Sequence, residues 1–177
     1  MRKGTVLVDD GLLRKGTHLA RLAIDRAVAF PSAPMPHLPF VPQRVLAIGA
    51  HPDDVEFFAG ATVARLRDAG AQVALLVCSD GARGGRDLDD PAAVRRAEQA
   101  HAAAALGIDD WFWLAHPDGA LAAGDPLRGE LVRSVRRVRP ELVLAHDPRT
   151  LWTIVAGIAH LGHSDHRAAG QATLDAI

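Results

Sequence analysis

The sequence has almost no cysteine, no excess of charge and no long apolar run, and each absence excludes a class of protein. One cysteine in 177 residues excludes an internal disulfide framework and a structural zinc site built from cysteine pairs. The 20 basic and 21 acidic residues leave no positive excess to drive binding to nucleic acid. No stretch approaches the roughly 18 apolar residues of a membrane-spanning helix, and the N-terminus lacks signal-peptide features. We therefore predict a cytoplasmic protein with no integral membrane segment and no nucleic-acid partner.

Apolar residues and histidine are what the sequence does contain. Apolar residues make up 49% and charged residues 23%, which is typical of a globular domain with a hydrophobic core. Nine histidines are an unusual number for this length, and four of them fall close together: His146, His160, His163 and His166. Such clustering draws attention to metal binding or catalysis.

Residues 1–43 differ from the rest of the chain. Apolar residues between positions 12 and 28 line one side of a predicted helix, and five prolines between positions 31 and 42 predict an extended strap. We favour a helix packed on the domain over a basic amphipathic helix lying on a membrane surface. The sequence thus divides into an N-terminal helix and strap, 1–43, and a main domain, 44–177.

From residue 44 onward, short apolar segments alternate with helical patterns. Predicted strands cover 45–50, 73–78, 111–114 and 142–145, and predicted helices cover 58–69, 91–106, 127–138 and a last segment from 165. This alternation predicts an α/β fold whose mainly parallel sheet is covered by helices on both faces.

Polar segments follow each predicted strand, at 51–54, 79–81, 116–118 and 146–148. Ligands of parallel sheets bind beyond the carboxyl ends of the strands, where these segments meet. Three of the four segments carry a histidine, which a simple turn does not require.

The segment Ala-His-Pro-Asp-Asp-Val-Glu, residues 50–56, is the strongest chemical signal. His51 and Asp54 can direct a ring nitrogen and a carboxylate oxygen at one zinc ion, which in catalytic sites takes three protein ligands. Asp53 then lies beside the metal and can accept a proton from an activated water. The alternative is that both aspartates only cap the following helix.

A second segment, Gly-His-Ser-Asp-His at 162–166, supplies the third ligand. His163 and His166 are three residues apart at the start of the last helix, so both can face the same direction. One can bind the metal while the other gives a hydrogen bond or a positive charge to a developing oxyanion.

These two motifs, in this order, resemble the signature of the LmbE/PIG-L family of metal-dependent N-acetylglucosaminyl deacetylases. The resemblance runs from about residue 45 to the C-terminus and includes 79–81, 96–98 and 106–107. It implies a Rossmann-like three-layer sandwich, the LmbE-like deacetylase fold, with zinc or another divalent metal at the carboxyl edge of the sheet.

The resemblance also implies roles for single residues. His51, Asp54 and His166 would be the metal ligands, Asp53 the general base, and His163 the group that stabilises the tetrahedral intermediate. The implied reaction is hydrolysis of an N-acetyl (N-acyl) group from an amino sugar or a glycoconjugate. The sequence leaves the oligomeric state open and allows a homo-oligomer.

The chain departs from the family pattern in three places. A tyrosine that assists the oxyanion in some members is replaced by Leu161, and the chain has no tyrosine. An apolar segment at 151–159 is longer than expected and forms either a lid or wall, or packs against the body. Only 11 residues follow His166, so we expect a C-terminally short domain, truncated relative to the family, with an exposed apolar face near 161–177.

Substrate contacts are predicted at Arg83 and Arg86, in a flexible glycine-rich loop, and at His146. Two other functions compete with the deacetylase. The missing tyrosine and the short C-terminus favour a non-catalytic carbohydrate- or metal-binding module that retains the fold. A nucleotide-binding domain is disfavoured, because the first strand leads into His51 and Asp54 rather than into a glycine-rich turn.

Overall fold

The computed structural model describes residues 40–84, 89–155 and 158–177. The predicted N-terminal helix, most of the proline-rich strap and Arg86 lie outside the described residues. Strands and helices alternate as predicted through residue 144, and two further strands then precede the last helix. They are β1 Arg44–Gly49, α1 Asp54–Asp68, β2 Gln72–Ser79, α2 Pro91–Ala105, β3 Asp110–His116, α3 Asp125–Val138, β4 Leu142–Leu144, β5 Trp152–Val155, β6 Ile158–Leu161 and α4 Ser164–Leu174.

Four parallel strands form the main sheet in the order β3-β2-β1-β4. The chain runs from β1 to β2 to β3 on one side and then crosses back to β4 on the other side of β1. The order therefore reverses between β1 and β4, and the crevice beyond their carboxyl ends is where such sheets bind ligands. The 51–54 segment follows β1 and His146 follows β4, so both lie at this crevice.

Helices cover both faces of the sheet, which confirms the predicted three-layer α/β sandwich. Leu46 of β1 shares one buried cluster with Leu131 of α3 and with α4 residues. Ala47, the next residue of β1, belongs instead to a cluster with Val63 of α1 and Ala103 of α2. Because successive strand residues point to opposite faces, the apolar run of β1 supplies both halves of the core.

The apolar segment after β4 forms a separate antiparallel hairpin, β5–β6. The side chains of Trp152, Ile154, Ile158 and Leu161 are exposed, at 63–76% of their full accessible surface. Of the two roles predicted for the 151–159 segment, packing against the body is therefore wrong for the side chains of Trp152, Ile154 and Ile158. A role as a lid or wall stays a prediction.

The expected exposed apolar face near 161–177 is present in part. Leu161, Leu174 and Ile177 are exposed, whereas Ala169 and Ala172 of α4 are fully buried against the sheet. Within the part of the chain that the structure describes, no helix is long and apolar enough to cross a membrane.

Candidate metal centre

The turn between β1 and α1 is closed by its own acidic side chain. The carboxylate of Asp54 accepts a hydrogen bond from the backbone N–H of His51 at 2.8 Å. Asp53, at the N-cap of α1, adopts a left-handed conformation with φ of 87° and makes no side-chain capping bond. The Asp53 side chain therefore makes no capping hydrogen bond to α1, and the helix-capping alternative is wrong for that side chain.

Three imidazoles surround the carboxylate of Asp54, which is 5% exposed. Oδ2 lies 3.0 Å from Nε2 of His146 and 3.5 Å from Nδ1 of His51, and Oδ1 lies 3.1 Å from Nε2 of His166. Burial alone would raise the pKa of Asp54, but the hydrogen bonds to the three histidines hold it far below its usual range. These hydrogen bonds therefore favour the ionised form of Asp54.

The residues at this point fit a divalent metal ion. One ligand atom from each of His51, Asp54 and His166 lies within 4.8 Å of the other two. Nδ1 of His51 and Nε2 of His166 are 3.3 Å apart, with the ionised carboxylate next to both. Two imidazole nitrogens and one carboxylate oxygen form a donor set that zinc accepts, with a position left for water or substrate.

Two further carboxylates hold the opposite edge of the His51 ring. Nε2 of His51 lies 3.2 Å from both Asp165 Oδ2 and Asp118 Oδ1, so Nδ1 is the nitrogen that faces Asp54. Burial alone would lower the pKa of His51, but the hydrogen bond and charge of Asp54, with Asp118 and Asp165, raise it. The sequence analysis assigned no role to Asp118 or Asp165, although both lie within the motifs that it singled out.

A second group, formed by His51, His163 and Asp165, is equally close-spaced. Asp165 is fully buried, and its carboxylate already accepts hydrogen bonds from the backbone N–H groups of Gly119 at 2.7 Å and Leu121 at 3.3 Å. These bonds fix Asp165 in a position that orients His51 and the 119–121 loop.

His163 lies beside this cluster as the N-cap residue of α4. Its Nδ1 accepts a hydrogen bond from the backbone N–H of Asp165 at 3.2 Å, so the neutral ring carries its proton on Nε2. Its ring meets the edge of the His51 ring, with centroids 4.6 Å apart. Burial, followed by the charge of His51, lowers the pKa of His163. The geometry therefore favours a hydrogen-bond donor over the positive charge that the sequence analysis also allowed.

His146, predicted to contact substrate, lies inside the cluster. Its ring stacks on His166 with centroids 4.1 Å apart and an angle of 7° between the planes. Its Nε2 is 3.2 Å from the backbone nitrogen of Ala50 and 3.0 Å from Asp54. Helix α4 packs closely on this residue, since a Cβ added to Gly170 would collide with the carbonyl oxygen of His146. The ring thus supports Asp54 and His166, and contact with substrate stays a prediction.

The predicted base, Asp53, contacts helix α2. Its Oδ2 forms an ion pair of 2.7 Å with Nη2 of Arg95, and the Asp53 side chain is 46% exposed. Arg95 was not predicted from the sequence, where its only signal is its place next to Arg96 of the 96–98 segment.

Arg83, the other predicted substrate contact within the described residues, lies in the short 3-10 turn Ala82–Gly84. Its backbone N–H donates to Asp118 Oδ2 at 3.0 Å. Its guanidinium packs so closely on Gly119 that a Cβ added to this glycine would lie 2.5 Å from Nη1 of Arg83. The exposed Arg83 side chain therefore lies over the loop that holds Asp118 near His51.

An apolar groove of about 360 Å³ opens beside the cluster, between α1 and β4. Asp54 and His146 form its polar end, and the rest of its lining includes Val55, Phe58 and Leu144. The Phe58 ring lies edge-on to both His146 and His166, at centroid distances of 6.3 and 6.2 Å. The cluster thus has a polar side at Asp118 and an apolar side at Phe58.

Sequence comparisons place relatives of this chain among sugar deacetylases. Residues 46–177 match the PIG-L family, described as GlcNAc-PI de-N-acetylase. Diacetylchitobiose deacetylase of Thermococcus kodakarensis is 33% identical over 139 residues, covering 76% of this chain and 49% of that protein. 1D-myo-inositol 2-acetamido-2-deoxy-alpha-D-glucopyranoside deacetylase of Kineococcus radiotolerans is 32% identical over 171 residues, covering 77% and 45%.

Solved structures share the fold. N,N'-diacetylchitobiose deacetylase from Pyrococcus horikoshii, in complex with its inhibitor MPG, has a TM-score of 0.67 and 30% identity, covering 76% of this chain and 49% of that one. GalB, the 4-carboxy-2-hydroxymuconate hydratase of Pseudomonas putida, has a TM-score of 0.60 and 25% identity, covering 76% and 55%. The chain spans about half the length of the curated relatives it matches.

Proposed function

The chain belongs to the PIG-L family, and from that premise we propose that it is a metal-dependent hydrolase of N-acetylated amino sugars or glycoconjugates. The observation that carries this proposal is the meeting of His51, Asp54 and His166 at the carboxyl edge of the sheet, with Asp53 adjacent to Asp54 in the turn and the His163 ring in contact with His51. Deacetylases of acetamido sugars among the relatives support the same substrate class. Residues 44–177 would form the catalytic domain.

His51, Asp54 and His166 would hold the ion, and their two nitrogens and one oxygen favour zinc, although another divalent metal is compatible. When bound, such an ion supplies Lewis acidity, which polarises the amide carbonyl and makes a nearby water more acidic. Asp165 and Asp118 would keep the His51 ring turned toward the ion by accepting from its Nε2.

Asp53 would move the proton in this reaction. Its carboxylate accepts a proton from the attacking water as the new bond between the water oxygen and the acyl carbon forms. The same proton then passes to the amine nitrogen as the C–N bond breaks, so that acetate and a free amine are released. The exposed position of Asp53, in contrast to the buried Asp54, gives it access to water and substrate.

His163 would stabilise the charge that develops on the carbonyl oxygen. Its Nδ1 is occupied by the backbone N–H of Asp165, which leaves the Nε2 proton to be donated. Arg83 would contact a hydroxyl or an anionic group of the substrate from its position over Gly119. Contacts of Arg86 and His146 with the substrate are part of the same proposal.

The second candidate is a carbohydrate- or metal-binding module that retains the fold without turnover. Leu161 in the place of the assisting tyrosine favours it, because a leucine side chain can donate no hydrogen bond to an oxyanion. The hydratase among the structural relatives also shows that this fold supports a reaction other than deacetylation.

Acetate release from a panel of N-acetylated sugars tests the proposal. We expect acetate and free amine in equal amounts from at least one N-acetylglucosamine derivative, with activity lost on chelation and restored by zinc. The panel includes an unsaturated hydroxy acid, so that hydration is detected. Metal binding without acetate release from any sugar would favour the binding module, and turnover of the unsaturated acid alone would replace the deacetylase proposal.

A further inference from the structure

Helix α2 contacts the Pro52–Asp53 turn through two side chains that lie one helical turn apart. Nη2 of Arg95 donates to Asp53 Oδ2 at 2.7 Å and to the carbonyl oxygen of Pro52 at 2.8 Å. Oε1 of Gln99 accepts the backbone N–H of Asp53 at 3.2 Å. Together the two residues hold the carboxylate, the backbone nitrogen and the preceding carbonyl of residue 53.

This turn needs support from its surroundings. Asp53 has a φ of 87°, a left-handed conformation that non-glycine residues adopt at an energetic cost, so the surrounding contacts must maintain it. Gln99 is 2% exposed, and its Nε2 is fixed by Glu56 Oε1 at 2.6 Å. Arg95 is fixed from its other side by Glu98 Oε2, 2.6 Å from Nη1. Arg95 and Gln99 are therefore each fixed by a hydrogen bond to a glutamate.

The other face of the turn is closed as well. A Cβ on Gly81, which has a φ of 63°, would lie 2.6 Å from Cδ of Pro52, so the loop after β2 packs directly on the proline ring. The turn cannot rotate away from α2 without moving this loop. The orientation of the Asp53 side chain therefore depends on the residues that grip it from α2.

We propose that Arg95 and Gln99 are positioning residues that set the direction of the Asp53 carboxylate. This inference rests on the proposed role of Asp53 as the base. Asp54 needs no such help because three imidazoles already fix it, whereas Asp53 is partly exposed and has no imidazole partner among the described residues. Without Arg95 its side chain would sample other rotamers, and a misplacement of about 1 Å can reduce a rate roughly 100-fold.

Most of the Arg95 guanidinium is engaged with the protein. Its Nη1 and Nη2 are used by protein acceptors, and its Nε is buried with no partner within the described part of the chain. The Arg95 side chain is 20% exposed. Its guanidinium therefore faces the turn rather than the solvent.

The test is a double-mutant cycle between Arg95→Ala and Asp53→Asn, with acetate release and zinc affinity measured for each protein. We expect Arg95→Ala to lower kcat by about 10–100-fold with little change in KM and none in zinc affinity. In the Asp53→Asn background, removal of Arg95 should have no further effect, because the carboxylate that it positions is gone. Arg95→Lys keeps one charged donor and should recover part of kcat.

Arg96→Ala is the matched control, since Arg96 is the exposed neighbour on α2 and has no partner among the described residues. It should leave kcat, KM and zinc affinity unchanged. A crystal structure of Arg95→Ala gives a readout independent of turnover, and we expect the Asp53 side chain to adopt a different rotamer with Asp54 in place.

Other outcomes would overturn the inference. Equal losses from Arg95→Ala in both backgrounds, or a raised KM with kcat unchanged, would make Arg95 a substrate contact. An unchanged Asp53 rotamer in the Arg95→Ala crystal would exclude positioning directly, as would loss of zinc affinity. If Asp53→Asn alone keeps the parental kcat, the proposed base itself is wrong, which is a different failure from a cycle that is additive.

Discussion

The two neighbouring carboxylates of the turn after β1 have opposite surroundings. The Asp54 side chain is 6% exposed and is enclosed by three imidazoles, whereas the Asp53 side chain is 46% exposed and pairs with Arg95. One step along the chain thus separates a buried carboxylate from a partly exposed one. Neighbouring residues of one turn thus place two carboxylates in different surroundings, one enclosed by imidazoles and the other paired with helix α2.

The largest effect should come from the buried member of the pair. Asp54→Asn keeps the shape but removes the charge that the three histidines face. Loss of a residue that only orients a metal ligand typically lowers metal affinity about 10–100-fold. We expect Asp54→Asn to lower zinc affinity by more than this and to reduce turnover to background. Competition titration of zinc measures it, with Asp68→Asn at the exposed end of α1 as control. Unchanged zinc affinity would remove Asp54 from the ligand set.

The exposed member should separate metal binding from turnover. Asp53→Asn keeps the size of the side chain but cannot accept a proton, so kcat should fall about 10²–10⁴-fold with zinc affinity preserved. Steady-state kinetics and metal content of the same preparation measure both quantities. If kcat matched the parent, the two carboxylates would not differ in function as proposed.

His163 extends the comparison to a residue that neighbours the cluster without lying in the proposed ligand set. His163→Ala should lower kcat about 10²–10³-fold and leave zinc bound, because a missing oxyanion donor is felt in the transition state. Kinetics with metal analysis of the dialysed protein checks this. Loss of zinc from this variant would mean that His163 and His166 have exchanged roles.

A smaller effect should follow from moving the whole turn. Gly81→Ala places a Cβ against Pro52, and Gly70→Ala is a matched control because Gly70 also has a positive φ, of 100°, with nothing within 4 Å. Both should lose roughly 1–2 kcal/mol of unfolding free energy from backbone strain. Only Gly81→Ala should add about 1–3 kcal/mol from overpacking and also lower kcat. Denaturant unfolding and kinetics compare the two, and equal effects would show that the Pro52 contact does not matter.

The smallest effect concerns the pKa of His51, which must lose its proton before it can bind zinc. The charge of Asp118 contributes to the raised pKa of His51 in the metal-free protein, so Asp118→Asn should lower that pKa. Because protonated His51 cannot bind metal, the gain in zinc affinity with rising pH should then occur at lower pH. NMR titration of the His51 ring measures the shift, with exposed Asp110→Asn as control. A pKa that stays or rises would contradict the assigned contact.

The sequence was sufficient to predict the fold and the meeting of the two motifs, because parallel strands bring their carboxyl ends to one edge. It could not predict contacts that depend on how helices and loops pack. Arg95 contacts Asp53, 42 residues away in the sequence, and Gly119 contacts Asp165, 46 residues away. No spacing pattern in the sequence predicts either contact. The hairpin β5–β6 was not predicted either, because a continuous apolar run does not indicate which of its residues remain exposed to solvent.

The most direct test of the account is the position of the metal itself. Crystals soaked in zinc and measured at its absorption edge locate the ion without reference to activity. We predict one ion bound by Nδ1 of His51, Asp54 and Nε2 of His166, with bonds of about 2.0–2.2 Å, and Asp53 outside the ligand set. An ion bound between His163 and Asp165, or no ion at the carboxyl edge of the sheet, would contradict the account.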